Sequence, residues 1–276
     1  MMKTALYIIF AAIIAFFVLF ILYVFVFVRP RGKANTEFDK SLYTDYAHRG
    51  LHGGDIPENS LMAFGKAAEN GHGIELDVQL SKDGRVMVFH DYTLKRMTGC
   101  DKMLSELTAE ELRELRLAGT DEKIPYLTEV LELIDGRVPI LVELKGESSD
   151  TSVCAPTDEI LSKYSGAYCV ESFNPMLLRW YRKNRPDVMR GILVTNIAKE
   201  KKKASIKNLI LQNMMTNCLC RPDFIAYDVR YSSLGVDICT KFFSSPAFAW
   251  TTRDEEAYYK ARDYGAYVIF ERIKPE

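Results

Sequence analysis

The sequence predicts a (β/α)8 barrel of the TIM type preceded by a single N-terminal transmembrane helix. Three observations lead there. Thr4–Val28 is an apolar run without a charged residue. Beyond it, eight short apolar runs alternate with helix-like segments over about 235 residues, close to the ~250 typical of such barrels. The first of those runs leads into H-R-G-L-H-G-G at 48–54, whereas an open doubly wound sheet would tend to place a G-x-G-x-x-G phosphate loop there.

Taken in order, the first element is the anchor. As a helix, Thr4–Val28 would reach about 37 Å, more than the roughly 30 Å of bilayer hydrocarbon. It is too long for a signal-peptide core, and no A-x-A-like cleavage site follows it. The chain passes instead into Arg29-Pro30-Arg31-Gly32-Lys33. This predicts a retained single-pass anchor over 1–28, a polar linker over 29–40 and a barrel domain over 41–276. Arg29, Arg31 and Lys33 on one flank outnumber Lys3 and the amino terminus on the other, which leans the catalytic domain toward the cytoplasm.

The expected barrel strands are Asp45–His48, Gly73–Leu80, Val138–Lys145, Ala167–Phe173, Met189–Thr195, Phe224–Val229, Ala247–Thr251 and Ala266–Glu271. Val86–His90, after the turn signal Lys82-Asp83-Gly84, reads as an accessory hairpin strand. Helices are expected over Leu61–Asn70, capped by Asn59 or Ser60 and stopped by Gly71. Others follow at Thr108–Leu117, which opens on a near capping box, and at Thr128–Ile134, Pro175–Arg185 and Glu255–Tyr264.

Composition bounds the function. The chain's 36 basic and 37 acidic side chains nearly cancel, so no global field favours nucleic acid. Apolar residues at 48% and charged residues at 26% describe an ordinary globular chain. The six cysteines are scattered and read as free thiols. Cys218 and Cys220 form a C-x-C without the second ligand pair that a zinc site needs. A basic run, Lys199-Glu200-Lys201-Lys202-Lys203 with Lys207, reads as a solvated helix face, with contact to anionic lipid as the alternative.

Chemistry concentrates between Tyr46 and Arg96, which holds all four histidines. In Gly73–Leu80, Glu75 and Asp77 alternate with apolar residues, so they share one face with backbones about 6.6 Å apart. Two such anions in a barrel mouth would repel, and a divalent cation removes the problem. Oxygen ligands suit Mg²⁺ or Ca²⁺ better than Zn²⁺. Glu143 and Lys145 repeat the pattern in Val138–Lys145, the first as a third oxygen ligand, the second as a cation for a phosphate oxygen. His48 and His90 end their strands, and a pair of imidazoles can serve as base and acid near neutral pH. Arg49 offers a fork suited to phosphate. His52 and His72 read as structural hydrogen-bonders.

Together these motifs resemble the glycerophosphodiester phosphodiesterase family: H-R-G at 48–50, P-E-N-S at 57–60, E-L-D at 75–77, D-G-x-V-x-V-F-H-D at 83–91, V-E-L-K at 142–145 and S-F-N at 172–174. The resemblance covers about residues 45 to 273. It implies a metal-dependent barrel enzyme that hydrolyses glycerophosphodiesters to an alcohol and glycerol 3-phosphate. His48 and His90 would be the acid/base pair, with His48 leaning to base. Glu75, Asp77 and Glu143 would be the metal ligands, and Arg49 and Lys145 the phosphate contacts. Trp250, with Phe173, would form an aromatic wall against the substrate, with core packing as the alternative. One departure is at Ile269-Phe270-Glu271-Arg272, where the family commonly has T-D-x-P. The anchor adds a lysophospholipid as a candidate substrate. Competing readings are another two-histidine barrel phospholipase C or D, and an inactive membrane-tethered binding barrel. The oligomeric state is not legible in the sequence.

Overall fold

A computed structural model describes residues 2–31, 38–147, 149–196, 205–231 and 233–273. The basic run at Lys199–Lys203 and residues 32–37 of the expected linker lie outside the described residues.

Nine strands form one sheet: β1 (Tyr46–Ala47), β2 (Gly73–Leu80), β3 (Val86–Val88), β4 (Ile140–Leu144), β5 (Tyr168–Ser172), β6 (Arg190–Val194), β7 (Phe224–Asp228), β8 (Ala247–Thr252) and β9 (Tyr267–Phe270). All but β3 are parallel and close into an eight-stranded barrel, because β1 pairs with both β2 and β9. Each expected strand is present, trimmed by a residue or two at most ends. β2 matches its expected bounds because its alternation runs unbroken from Gly73 to Leu80.

β3 exists because β1 is short. β1 lies beside Gly73 and Ile74 only, which leaves the far half of β2 free on that edge. Val86–Val88 takes it up, antiparallel to Val78–Leu80.

Period-2 alternation divides the barrel. Ile74, Leu76, Val78, Val142, Val170 and Val268 face outward into the helical layer and are buried there. Tyr46, Leu141, Cys169, Leu193, Phe224, Phe248 and Ile269 face inward and fill the amino-terminal end of the barrel as an apolar floor. Gly191 makes that floor possible: a Cβ built on it would lie 2.0 Å from the Phe224 ring.

Helices cover the outside as the sequence indicated. Ser60 caps Leu61–Glu69 by accepting from the Ala63 amide. Asn174 caps Pro175–Asn184, with Pro175 in the first turn, where its missing N–H costs nothing. The expected helix at Thr108–Leu117 is shorter. The Thr108–Glu111 capping box starts it, but regular helix ends at Arg113 and Ala118 turns left-handed. The segment between β3 and Leu127–Ile134 packs on its own apolar cluster, including Leu94, Leu104, Leu112, Leu117 and Ile124. It is a small compact cap, more than the modest helical stretch the sequence indicated.

Within the apolar helix Met2–Leu22, residues 3–22 are exposed. Its continuation, Tyr23–Val28, is not: Val24 and Val28 are buried against Ile192, Val194 and Ile225 on the outer face of β6 and β7.

Replacing Gly191 with Ala is expected to cost about 1–3 kcal/mol, the usual penalty for overpacking a filled core. A thermal melt should show the midpoint falling by several degrees, and adding Phe224→Leu should recover part of it.

Candidate active site

The carboxyl ends of the strands form the barrel mouth, and the inward face turns from apolar to charged as it approaches them. Glu75, Asp77 and Gln79 follow one another on the inward face of β2. Glu143 lies beside Asp77 on β4, and Glu171 beside Glu143 on β5. Glu75, Asp77, Glu143 and Glu171 are all buried. Ligand oxygens of Glu75, Asp77 and Glu143 lie within 4.8 Å of one another.

Two cationic side chains answer these four anions. Lys145, just past β4, places Nζ 2.8 Å from Asp77 Oδ1 and 2.7 Å from Glu143 Oε1. Arg49 donates its backbone N–H to Glu75 at 2.8 Å, sets Nε 3.5 Å from Asp77 Oδ2 and pairs with Glu58 at 2.7 Å. The neutralisation is uneven. Asp77 is held well below the usual carboxylate range, because Lys145, His90 and Arg49 outweigh its burial. Burial and the neighbouring anions push Glu75 and Glu171 well up. Burial lifts Glu143 to about 7 despite Lys145. Four buried acids against two bases is a donor set that fits a divalent cation, whose charge would lower all three raised groups. Glu75, Asp77 and Glu143 are the residues that would hold it.

The turn after β1 sets His48 and Arg49. Arg49 is left-handed at φ 56°, and Gly50 at φ 80°. A Cβ on Gly50 would lie 2.9 Å from Ala63 and Phe64, so only glycine lets this turn press on the first helix. Asn59, also left-handed at φ 53°, donates its backbone N–H to the Arg49 carbonyl. Its side chain donates to Asp77 Oδ2 at 2.8 Å. Non-glycine residues in this conformation cost of order 1 kcal/mol or more; here each one holds a site carboxylate.

His48 leads out of β1, its amide bonded to Phe270 across the barrel closure. Nε2 lies 4.0 Å from Glu75 Oε2 and Nδ1 3.4 Å from Glu271 Oε2. Burial lowers its pKa to about 4, so the ring is neutral near pH 7. Glu271 is the nearest carboxylate to Nδ1, which has no hydrogen-bond partner among the described residues, and Nε2 faces the carboxylate cluster. Glu271 is held down to about 2 by His48, with Arg253 assisting.

His90 enters from β3. The Phe89 amide bonds to the Asp77 carbonyl, and Gln79 Nε2 donates to the carbonyls of Phe89, His90 and Asp91 at 2.9–3.1 Å. Asp91 lies 2.6 Å from His90 Nδ1, and Arg96 holds Asp91 from behind. Burial also lowers the His90 pKa, partly opposed by Asp77. His90, Glu143, Lys145 and Phe173 line one cavity of about 420 Å³. The Phe173 ring meets Trp250 edge-on, 5.5 Å between centroids, so both expected aromatics stand together on one side of the mouth.

Several partners were not legible in the sequence. Glu171, Gln79, Asn59, Glu58 and Asp91 all touch or hold the site, and Glu271 gains a role beside His48. Inward alternation was a usable signal for Glu171 and Gln79; Glu58, Asn59 and Asp91 stand in the P-E-N-S and F-H-D motifs, but their contacts depend on tertiary placement. His52 joins His48 and Glu271 in a second close group, and His72 packs edge-on against Phe270.

The glycerophosphoryl diester phosphodiesterase family model matches residues 48–271. Glycerophosphodiester phosphodiesterase 1 of Homo sapiens is 29% identical over 258 residues, covering 80% of this chain and 76% of its own. The glycerophosphodiester phosphodiesterase of Caldanaerobacter subterraneus subsp. tengcongensis is 35% identical over 161 residues, 53% of this chain and 65% of that protein's length. Among solved structures, the glycerophosphodiester phosphodiesterase of Thermotoga maritima is 32% identical with a TM-score of 0.64, covering 82% of this chain and 94% of its own. A phosphodiesterase of Oleispira antarctica, in complex with the product sn-glycerol-3-phosphate, is 26% identical with a TM-score of 0.68, covering 83% and 92%. The matched span begins at His48 and ends at Glu271, the two residues that meet where the barrel closes, and the chain belongs to the glycerophosphoryl diester phosphodiesterase family.

Proposed function

We propose that this chain hydrolyses glycerophosphodiesters to an alcohol and glycerol 3-phosphate, with a divalent cation, Mg²⁺ or Ca²⁺, held by Glu75, Asp77 and Glu143. The observation that carries the reading is the under-neutralised carboxylate cluster flanked by two histidines, each backed by its own carboxylate. The Oleispira relative, with glycerol 3-phosphate in its complex, supports the product.

When bound, the cation supplies positive charge for the phosphodiester oxygens. The chain's own groups do the rest. Arg49 and Lys145, at the edge of the cluster, steady the remaining phosphate charge. His48 Nε2 takes the proton of the attacking oxygen, which belongs to water or to a neighbouring glycerol hydroxyl; in the second case a cyclic glycerol phosphate forms and a water then opens it to glycerol 3-phosphate. Glu271, beside the ring, favours the imidazolium that forms. His90, set by Asp91, gives a proton to the departing alkoxide as the phosphorus–oxygen bond breaks. The Phe173–Trp250 wall packs against the carbon part of the substrate and narrows the mouth.

Met2–Leu22 favours a membrane setting, and with it a lysophospholipid as substrate. Mean hydropathy is 3.1 over the apolar window of Lys3–Val28, almost none of which is buried in the protein. A lysophospholipid would give lysophosphatidate by the same bond cleavage.

Product analysis tests the reaction: glycerol 3-phosphate should accumulate from glycerophosphocholine, and free phosphocholine would refute the assignment. His90→Ala and His48→Ala should each cut turnover by about 10²–10⁴-fold, as for loss of a general acid or base, with the circular dichroism spectrum unchanged; full activity in His90→Ala would sink the two-histidine scheme. Chelation should abolish activity, and added Mg²⁺ or Ca²⁺ should restore it in the parent chain but not in Asp77→Asn. Lysophosphatidylcholine should be cleaved at least as well as glycerophosphocholine if the substrate is a lipid. A strong preference for the soluble diester would confine the enzyme to deacylated head groups.

A further inference from the structure

The end of the apolar helix is built into the barrel wall, and the way it is built in fixes which end of the barrel faces the membrane. Tyr23 Oη donates to the Asn213 carbonyl. Five residues on, the Val28 carbonyl accepts from Asn217 Nδ2 at 2.8 Å and from Cys239 Sγ. Then the Arg29 carbonyl accepts from Arg221, and the Arg31 amide donates to the Pro222 carbonyl. Arg31 also reaches the Pro186 carbonyl and Asp223. The partners run in order from Asn213 to Asp223.

That order has a direction. Asp223 and Pro186 precede the starts of β7 and β6, so they mark the amino-terminal floor end. Asn213 lies against Gly235, where an added Cβ would be 2.7 Å from its carbonyl oxygen; Gly235 is the second residue of the helix that follows β7, so it lies toward the mouth. The segment therefore descends from mouth to floor along the outer face of β6 and β7. Six helical residues and three extended ones cover roughly 18 Å, about the length of a five-residue strand. Tyr23 is the mouthward end of this segment, and Met2–Leu22 leaves the wall from that end.

What projects is Met2–Leu22, 21 residues, about 31 Å as a helix and the thickness of bilayer hydrocarbon. Tyr23 falls where an interfacial aromatic belongs. The mouth rim has a matching surface. Met62, Phe173, Ile206 and Leu234 follow carboxyl ends of parallel strands, Tyr92 lines the cavity with His90 and Phe173, and all five are exposed. Arg31, one of the cations flanking the expected anchor, is committed to the floor end.

We propose that the barrel sits mouth-down on the bilayer, with the rim around the carboxylate cluster at the headgroup layer. This rests on the membrane reading of Met2–Leu22 and not on the identity of the substrate. The occupant of the rim is a lipid surface, because the helix that leaves beside it is apolar, exposed and of spanning length.

Photo-crosslinking of the full chain in palmitoyl-oleoyl-phosphatidylcholine vesicles tests the seating. A p-benzoylphenylalanine is placed singly at Ile206 or Leu234 on the rim, and at Leu133 or Tyr264 at the floor end; all four are exposed. Lipid adducts at the rim sites should exceed those at the floor sites at least tenfold. Equal yields, a floor-end excess, rim adducts to protein alone or failure to float with the vesicles would each overturn the proposal. Rim adducts in a chain that cleaves no phosphodiester would uphold the seating and refute the hydrolase reading. Cleavage of glycerophosphocholine with floor-end adducts would do the reverse.

Discussion

Repulsion among carboxylates on neighbouring strands is the constraint that organises this molecule. At about 4 Å two unit charges repel by roughly 4 kcal/mol at an effective dielectric of 20, and three of the buried inward acids have oxygens at that range. A strand's alternation cannot avoid the problem, because every second residue points the same way. The chain uses the same alternation to answer it: Lys145 shares the inward face of Glu143 and lies between that residue and Asp77. Arg49 contributes from the other side, through a backbone N–H as well as its guanidinium. The cancellation stops short of neutrality, and the shortfall is the site's capacity for a cation.

The two histidines share a design while coming from unlike places. Each has one ring nitrogen toward an outer carboxylate, Glu271 for His48 and Asp91 for His90, which leaves the other nitrogen for chemistry. Glu271 reaches His48 only because β9 pairs with β1, so barrel closure and base orientation are one event. Asp91 reaches His90 as its sequence neighbour, and the pair is held by Gln79 through three carbonyls. One histidine thus depends on the global fold and the other on a local loop.

Much of this was legible in the sequence where period-2 patterns are long. Glu75 and Asp77, with Glu143 and Lys145, could be put on one face before any coordinates, because their strands alternate without interruption. Glu171 escaped notice because Tyr168–Ser172 carries a single acid among residues that read as core. Asn59 and Glu58 lie in a loop with no period, and their contacts with Asp77 and Arg49 exist only after the first helix packs. The docking of Tyr23–Val28 was invisible for a different reason. Val24 and Val28 are as apolar as the residues before them, and hydropathy does not say whether lipid or protein covers an apolar face. The packing of Val24 and Val28 on Ile192, Val194 and Ile225, with the hydrogen bonds from Asn217 and Cys239 to the Val28 carbonyl, distinguishes the two.

The shortness of β1 ties these features together. Had β1 continued for another two residues, His48 and Arg49 would alternate to opposite faces, and one of them would leave the mouth. Instead the strand stops at Ala47, and the left-handed turn through Arg49 and Gly50 keeps both residues near the cluster. The same early stop leaves Val78–Leu80 unpaired by β1, and β3 fills that edge. β3 in turn delivers His90 beside Asp77. A two-residue strand therefore places the proposed base directly and the proposed acid by leaving room for its carrier. Lengthening β1 would improve the sheet and take apart the site.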